Sequence, residues 1–386
     1  MKKKTLSLLL AAALACGLLA GCGKTTQTSA PSNPTSESQK EESSVPAPTQ
    51  APAATEAPAA TATPAPTEAP VENHDGMYRS ELTNEWIDEA LENQRPIAVL
   101  VDNEKTALDH YGLTQADVVY ELMNSTANKE ITRFMCLVKD WDALEQFGSV
   151  RSLRPTNILL ANEWNAIICH DGGPFYINDY LALPASDNIS GYFGRVDNGK
   201  PREFTEYILT GEVQKYADRL GIQTTYTKYY EGPHYKFASE ANPVVLENVY
   251  GEYAKEATFI DLPFPNNQSE LKYNAEDGLY YYSEHGGPHL DAQNDNKQLA
   301  FKNVIIQRVT YSQLDENGYL IFNCIGEGQQ AVYITNGKRV NVTWTKTSDT
   351  EPTRYYDGYG EEITINTGKT YVALVPDDNW DELVIE

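Results

Sequence analysis

The feature that most restricts the fold is a long stretch without aromatic residues. No Phe, Trp or Tyr occurs between Cys22 and Tyr78, and the residues between them are mainly Thr, Ser, Pro, Ala, Gln and Glu. Such a composition cannot bury enough apolar surface to offset the entropy cost of ordering the chain. We therefore predict a disordered tether over 23–80, which its prolines keep extended, with the folded region after it.

A short basic and then apolar leader precedes this tether. The three lysines Lys2–Lys4 are followed by an apolar run over 6–19, which is shorter than the roughly 20 residues that a membrane-spanning helix needs. The small residues Ala20 and Gly21 stand directly before Cys22. This layout is typical of a bacterial lipoprotein signal peptide over 1–22. We predict that Cys22 is lipidated and anchors the protein to the outer face of the plasma membrane.

The charge of the chain excludes one class of partner. Acidic residues number 55 against 30 basic ones, which gives a net charge of −25. Such a surface repels nucleic acid and anionic lipid at long range. We therefore predict no nucleic-acid partner and expect the membrane to be contacted through the lipid anchor. An envelope or cell-wall ligand remains open, and the acidic surface is compatible with bound cations as well as with simple solubility.

Three cysteines follow the leader and tether: Cys136, Cys169 and Cys324. Their spacing fits no zinc-binding pattern, so we predict no metal site, and no motif predicts a cofactor. Cys136 and Cys169 lie in apolar runs, where free cysteine behaves as a small hydrophobic residue. We expect no structural disulfide, although the sequence leaves a Cys136–Cys169 pair open.

The remaining length indicates two domains. Strands mixed with helices favour an α/β or α+β N-terminal domain over 85–238. Asn-Gly and Asp-Gly turns between short β-rich runs favour a mostly antiparallel β domain over 240–386. The elements predicted for the first domain are strands at Pro96–Val101, Ala116–Leu122, Ile131–Val138 and Ala166–Cys169, and helices at Pro155–Trp164 and Phe204–Leu220.

Tyrosine is unusually abundant, with 25 residues. Many of them fall in polar stretches, such as Tyr226–Tyr235 and Tyr280–Tyr282. Tyrosine is common at hydrated binding surfaces because its ring is apolar and its hydroxyl is polar. We therefore predict that these stretches are exposed.

Unusual polar residues are densest between residues 102 and 171. A loop over 148–154 carries two arginines and leads into a predicted helix, whose N-terminal N–H groups favour anions. Ends of buried strands, where α/β proteins gather ligand-binding groups, supply most of the others. The candidate ligand- or anion-binding residues are Asp102, Asn103, Glu121, Arg133, Arg151, Ser152, Arg154, His170 and Asp171.

Structural roles compete with binding at each of these positions. Arg151 and Arg154 could simply pair with Glu121, Glu130 or Asp171, and His170 could be a histidine whose hydrogen bonds are satisfied within a turn. A serine nucleophile is disfavoured because no Gly-x-Ser-x-Gly elbow is present. No complete catalytic motif occurs in the chain.

Ten segments spread over both halves carry motifs of a known family. They are Arg95–Val99, Gly112–Glu121, Ile131–Phe134, Gly148–Pro155 and His170–Gly173 in the first half, and Asn303–Gln307, Gly337–Lys338, Thr343–Lys346, Thr353–Asp357 and Gly360–Ile363 in the second. Together these segments resemble the YerB family of bacterial lipoproteins of unknown function. The resemblance spans nearly all of 90–376. It implies a two-domain lipoprotein and supplies no reaction.

These observations favour a cell-envelope lipoprotein that binds a ligand or partner without catalysis, reaching into the cell wall on its tether. The alternative is an enzyme that acts on an anionic or phosphorylated envelope substrate. In that alternative Arg133, Arg151 and Arg154 hold the charge, and Asp102 or His170 transfers protons.

Overall fold

The computed structural model describes residues 74–386. The predicted signal peptide, the lipidation site at Cys22 and the predicted tether up to residue 73 lie outside these residues. The last residues of the predicted tether range, Met77–Arg79, form the first strand, β1. The boundaries of the two predicted domains stay a prediction.

The first half of the described chain mixes strands and short helices, and no helix within 74–386 is both long and apolar enough to cross a membrane. The strands after β1 are β2 (Trp86–Asp88), β3 (Ile97–Asp102), β4 (Val118–Met123), β5 (Thr132–Val138), β6 (Gln146–Gly148), β7 (Ile167–His170), β8 (Asp187–Ser190), β9 (Gly194–Arg195) and β10 (Glu206–Leu209). The α-helices of the described chain are α1 (Pro155–Asn162), α2 (Asn178–Leu181), α3 (Glu212–Leu220) and α4 (Leu246–Tyr250).

The second half is built mostly from antiparallel strands, which confirms the predicted fold class. Its strands are β11 (Lys255–Glu256), β12 (Phe259–Asp261), β13 (Glu270–Asn274), β14 (Leu279–Glu284), β15 (Gly287–Pro288), β16 (Leu290–Asp291), β17 (Lys297–Gln298), β18 (Ala300–Phe301), β19 (Asn303–Val309), β20 (Tyr311–Gln313), β21 (Leu320–Phe322), β22 (Gly326–Thr335), β23 (Lys338–Lys346), β24 (Arg354–Tyr356), β25 (Thr370–Pro376) and β26 (Val384–Ile385).

One mixed sheet of eleven strands passes through both halves. Its order is β11-β23-β22-β19-β25-β4-β5-β3-β7-β8, with β24 beside β23. The two halves join where β25 runs parallel to β4. Strands β3, β7 and β8 are parallel neighbours, so their carboxyl ends meet at one edge. These central strands are continuous apolar runs because both of their faces are covered.

The two faces of this sheet pack against different layers. On one face, Phe134 and Tyr371 pack with Tyr282 of a six-stranded antiparallel sheet, whose order is β15-β14-β13-β12-β26 with β18 beside β14. On the other face, Met135 packs with Ile158 of α1 in a second buried cluster. Alternation along each strand therefore decides which layer a side chain joins.

The helix predicted over Phe204–Leu220 is wrong in its first half. Glu206–Leu209 forms strand β10, which pairs with β6 and β9, and only Glu212–Leu220 is helical. Gly211 separates the two with φ of 73°, a backbone conformation that ends a strand and is easiest for glycine. This run contains the aromatic Tyr207 and the β-branched Ile208. Its pairing with β6 and β9 outweighed the helical spacing of its apolar residues.

The predicted exposure of the tyrosine-rich stretches is also wrong in large part. Tyr280 and Tyr282 are fully buried between the two sheets, and Tyr235 is buried against Trp164. Strand alternation explains the pattern in β14, because Tyr281 between the two buried residues is partly exposed.

Cys136, Cys169 and Cys324 are buried free thiols. Cys136 and Cys169 both stand opposite Val99, on the two strands that flank β3. Two inter-strand spacings of about 4.8 Å separate them, which exceeds the reach of a disulfide.

Candidate functional site

The candidate site lies where the parallel strands β3, β7 and β8 end. Asp102 is the last residue of β3, and His170 is the last residue of β7. The loop that leads into α1 crosses these strand ends, because Arg151 N donates to Leu100 O at 2.7 Å and Leu153 N donates to Gly172 O at 3.0 Å. Strand ends of this kind are the usual place for ligands in α/β proteins.

Two arginines meet the carboxylate of Asp102 at this edge. Arg151 Nε lies 2.5 Å from Asp102 Oδ2, and Arg133 Nη2 lies 3.7 Å from the same oxygen. Arg133 Nη1 also donates to the carbonyl oxygen of Ser152 at 2.6 Å. Arg151 is partly exposed and reaches Glu203 at 3.6 Å. A single oxygen atom of Asp102 therefore contacts two guanidinium groups.

Arg154 has no carboxylate within 4 Å among residues 74–386. Its Nη1 donates to the carbonyl oxygen of Leu153 at 2.9 Å, and its guanidinium lies 4.6 Å from the ring centre of Tyr319. Burial lowers the pKa of Arg154 to about 9, helped by the nearby positive charges of Arg133 and Arg151. The cluster of Arg133, Arg151 and Arg154, which we call the arginine cluster, thus carries more positive charge than its buried carboxylate balances.

Several buried donors around the arginine cluster lack a partner in the described part of the chain. They are Nε of Arg133, Nε of Arg154 and Nδ2 of Asn157. Asn157 belongs to the first turn of α1, whose free N–H groups add to the positive potential. Because buried polar groups normally find partners, this concentration of donors suits an anion.

His170 does not join the cluster as a proton carrier. Its Nδ1 donates to Gly172 O at 2.8 Å, and its Nε2 accepts from Asn188 Nδ2 at 3.0 Å. Burial lowers the pKa of His170, which keeps the ring neutral. Both nitrogens are therefore occupied within the protein, which matches the structural role that competed with binding at this position.

Asp171 and Ser152 lie beside the cluster but have partners of their own. Ser152 Oγ donates to the carbonyl oxygen of Asp171 at 3.0 Å. The carboxylate of Asp171 pairs with Arg195 at 2.7 Å, and Arg195 also contacts Glu206. Burial and the neighbouring Asp171 raise the pKa of Glu206 to about 8. The two carboxyl groups thus share a proton at neutral pH.

The sequence did not indicate Arg195 or Glu206 as candidate binding residues. Glu206 lies in the run that was predicted to be helical, and the pairing of β10 with β9 brings it to Arg195. No local signal marks Glu206 as buried, because glutamate is rarely buried unless it is paired and its partner Arg195 lies on another strand.

Glu121 and Asn103 are corrections to the predicted site. The alternation of β4 and β5 places Glu121 on the face of Phe134 and Arg133 on the face of Leu122, so the two charges lie on opposite sides of the sheet. Asn103 donates to Glu121 Oε1 at 3.2 Å, inside the layer between the two sheets. Neither side chain reaches the arginine cluster.

The chemistry of these side chains is better suited to holding a negative charge than to transferring a proton. Its positively charged groups are numerous, whereas Asp102 is held by arginines and His170 is neutral and engaged. Within 74–386, no group of three or more His, Cys, Asp or Glu side chains could hold a metal ion.

A comparison with models of known protein families assigns the chain to one family. A model of the N-terminal domain of a protein family of unknown function, DUF3048, matches residues 82–223, and a model of its C-terminal domain matches 260–372. The chain belongs to the DUF3048 family. The family assignment brings no reaction with it, and the predicted resemblance to YerB is confirmed by a relative and a solved structure.

A relative and a solved structure agree with this assignment. The Bacillus subtilis (strain 168) protein named "Putative lipoprotein YerB" is 24% identical over 309 residues, which cover 78% of this chain and 86% of the relative. A crystal structure of YerB from Bacillus subtilis superposes with a TM-score of 0.68 at 22% identity, over 80% of this chain and 99% of the other. This DUF3048 chain therefore shares the YerB fold.

Proposed function

We propose that this protein is a lipid-anchored envelope lipoprotein that binds an anionic ligand at the arginine cluster without catalysing a reaction. The observation that carries the proposal is that Arg133, Arg151 and Arg154 converge while only Asp102 is buried among them. A phosphate or carboxylate group would supply the missing negative charge and accept from the unpartnered donors.

The leader supports the location of this binding. Cys22 follows a lipoprotein-type signal, and the relative YerB is named as a lipoprotein. A proline-rich tether of about 50 residues at roughly 3 Å each could span on the order of 150 Å. The ligand would then belong to the outer envelope, within reach of the cell wall.

The enzymatic alternative has less support. A general acid or base needs a group that is free to exchange a proton at the reacting atom. His170 has both ring nitrogens engaged, and Asp102 is held between two arginines. The shared proton of Asp171 and Glu206 is the remaining titratable feature beside the cluster, and Arg195 holds both carboxyl groups.

An Arg154→Met variant is expected to lose anion affinity without losing stability. Removing one of three crowded guanidinium groups relieves repulsion in the free protein, whereas a charged hydrogen bond to the ligand is lost, so the affinity should fall about tenfold. Calorimetric titration of the full chain in detergent with a short-chain polyprenyl phosphate, and with soluble wall fragments, measures the affinity. Urea unfolding measures the stability.

Arg308→Met is the matched control, because Arg308 is a surface arginine that pairs with Asp377 at 2.5 Å. The control should bind as tightly as the unmodified protein. The proposal fails if neither probe binds, or if the two variants bind equally well. A purely structural role for Arg154 would instead show as lower stability at unchanged affinity.

Binding is also expected to depend on pH. The pKa of Glu206 is raised to about 8 by its burial and by Asp171, so the carboxyl pair carries one negative charge below pH 8 and two above it. Both residues of the pair are joined through their backbones to the loop that carries Arg151, because Asp171 N donates to Arg151 O at 3.0 Å and Val150 N donates to Glu206 O at 2.7 Å. Anion affinity should therefore weaken as the pH rises from 7 to 9. A Glu206→Gln variant should reduce this change in the same titration, whereas the part that comes from Arg154, whose pKa is lowered to about 9, should remain. An unaltered pH profile would contradict the assignment.

A further inference from the structure

A cavity lies at the N-terminal end of β4, whereas Arg133 of the arginine cluster lies opposite Leu122 near its C-terminal end. It has a volume of about 260 Å³. Five segments that are distant in sequence form its wall: Glu85 before β2, the loop before β4, the start of β14, the stretch from β17 to the residue before β19, and the turn before β25. The lining residues are Glu85, Thr114, Leu279, Lys297, Gln298, Leu299, Ala300, Lys302, Thr367, Gly368 and Lys369. We call it the lysine cavity.

The lining of the lysine cavity contains more lysines than carboxylates, although carboxylates behind it, Asp117 near Lys369 and Asp277 near Lys302, act on the lysines electrostatically. Lys297, Lys302 and Lys369 line it against a single carboxylate, Glu85, although the chain carries almost twice as many acidic as basic residues. No carboxylate of residues 74–386 lies within 4 Å of any of the three ammonium groups. Elsewhere in this acidic chain, by contrast, Lys338 contacts two glutamates at 2.8 and 2.6 Å.

Neutral oxygen atoms hold two of these lysines in place. Lys302 Nζ donates to Asn336 Oδ1 at 2.6 Å and to Gly278 O at 3.3 Å. Lys369 Nζ donates to the carbonyl oxygen of Thr114. Each ammonium group has three donors, so both keep capacity for a further acceptor.

A glycine keeps the wall of the cavity close to Lys302. Gly368 has φ of +130°, and a Cβ atom there would stand 2.7 Å from Cβ of Lys302. Only glycine therefore lets the backbone and the lysine stem pack together at this point. The position of Lys302 is fixed by this packing as well as by its hydrogen bonds.

The remaining lining indicates what kind of anion fits. Leu279, Leu299 and Ala300 are apolar, whereas Thr114, Gln298 and Thr367 offer hydroxyl and amide groups. Lysine binds phosphate as a compact point charge. The volume lies just below the usual range for small-molecule sites, roughly 300–1,000 Å³, which suits one small unit with hydroxyl groups.

We propose that the lysine cavity binds a phosphate ester of a small polyol, either as a free monoester or as one unit of an anionic wall polymer. Three lysines balance the phosphate, and the polar and apolar walls meet the hydroxyl groups and carbon atoms of the polyol. This site is separate from the arginine cluster, and the proposal does not depend on that cluster.

Lys297→Glu tests the proposal, because Lys297 is an exposed residue and its replacement leaves the core intact. Calorimetric titration of the full chain in detergent with glycerol 3-phosphate should show binding, and the variant should bind at least about tenfold more weakly. A second titration with poly(glycerol phosphate) separates the two sources: tighter binding of the polymer per unit assigns the ligand to a wall polymer, and tighter binding of the monoester assigns it to the free ester.

Lys236→Glu is the matched control, since it makes the same charge change at an exposed lysine outside the cavity. It should bind like the unmodified protein. The proposal is overturned if neither glycerol 3-phosphate nor the polymer binds. It is equally overturned if the two glutamate variants weaken binding alike, or if inorganic phosphate or glycerol alone binds as tightly as the ester.

Discussion

Replacing Lys346 with methionine is expected to lower the free energy of unfolding by about 3–5 kcal/mol, the usual cost of leaving a buried charge without its partner. Lys346 Nζ lies 3.0 Å from Glu163 Oε2, and both side chains are fully buried. Glu163 directly follows α1 in the first half, and Lys346 is the last residue of β23 in the second half. The ion pair therefore links the two halves.

The other contacts of Glu163 show why its charge must be balanced. Its carboxylate accepts from the hydroxyl groups of Tyr120 at 3.0 Å and of Thr353 at 2.7 Å, and His234 lies 3.3 Å away. Burial alone would raise the pKa of Glu163, but Lys346, followed by His234, brings it down to about 2. In Lys346→Met, an ionised Glu163 carboxylate at neutral pH would therefore lower the free energy of unfolding strongly.

The sign of the pH dependence follows from this depressed pKa. Since the pKa of Glu163 is lower in the folded chain than its ordinary value of 4.5, the ion pair stabilises fully above pH 4.5 and loses its contribution as the pH falls toward 2. The stability difference between Lys346→Met and the unmodified protein should accordingly shrink in acid. Urea unfolding at pH 7 and pH 4 measures it.

Two controls separate the buried pair from a general effect of charge. Lys338→Met removes a surface ammonium group that pairs with Glu247 and Glu256, and it should cost less than about 1 kcal/mol. The double variant with Glu163→Gln and Lys346→Met should recover part of the lost stability, because it leaves no unpaired charge. Equal losses in Lys338→Met and Lys346→Met would contradict the prediction.

Glu121→Leu is expected to destabilise the protein by at least about 3 kcal/mol, because it removes a shared acceptor from several buried donors. Donors from both halves converge on this carboxylate in the layer between the two sheets. They are Asn103 Nδ2 at 3.2 Å, Thr132 Oγ1 at 2.6 Å, Ser269 Oγ at 2.7 Å, Tyr282 Oη at 2.9 Å and Tyr371 Oη.

The control for Glu121→Leu removes a single donor. Thr132→Val keeps the size of the side chain and takes away one of the five contacts, so it should cost about 1–2 kcal/mol. Comparing the urea midpoints of the two variants gives the difference. If Glu121→Leu were no worse than Thr132→Val, the carboxylate would not be the centre of the network.

The accuracy of sequence-based prediction differed between strands and site residues. Strands β3, β4, β5 and β7 were predicted nearly at their bounds, because their apolar runs are local signals of burial on both faces. The same local reasoning failed at Phe204–Leu220, where pairing with β6 and β9 decided the outcome. Strand partners lie far away in sequence, and no local pattern encodes them.

Candidate site residues that follow one another along the loop before α1 do lie close together, and their role in binding stays a prediction. Arg151 and Arg154 were found because two arginines ahead of a helix form a local pattern, and Arg133 does lie beside them. Glu121 was misplaced because its face depends on the register between β4 and β5. Arg195 and Glu206 were missed because separate strands bring them to Asp171.

The sequence by itself determined the mixed fold class, the acidic charge, the lipoprotein-type leader and the kinship with the YerB family, because composition and short motifs carry these properties locally. Only the tertiary structure decided that Arg133 and Arg151 share Asp102, that both ring nitrogens of His170 have partners, and that Lys297, Lys302 and Lys369 line one cavity. The physical reason is that charge balance depends on distances of a few ångströms between segments that are distant in the chain.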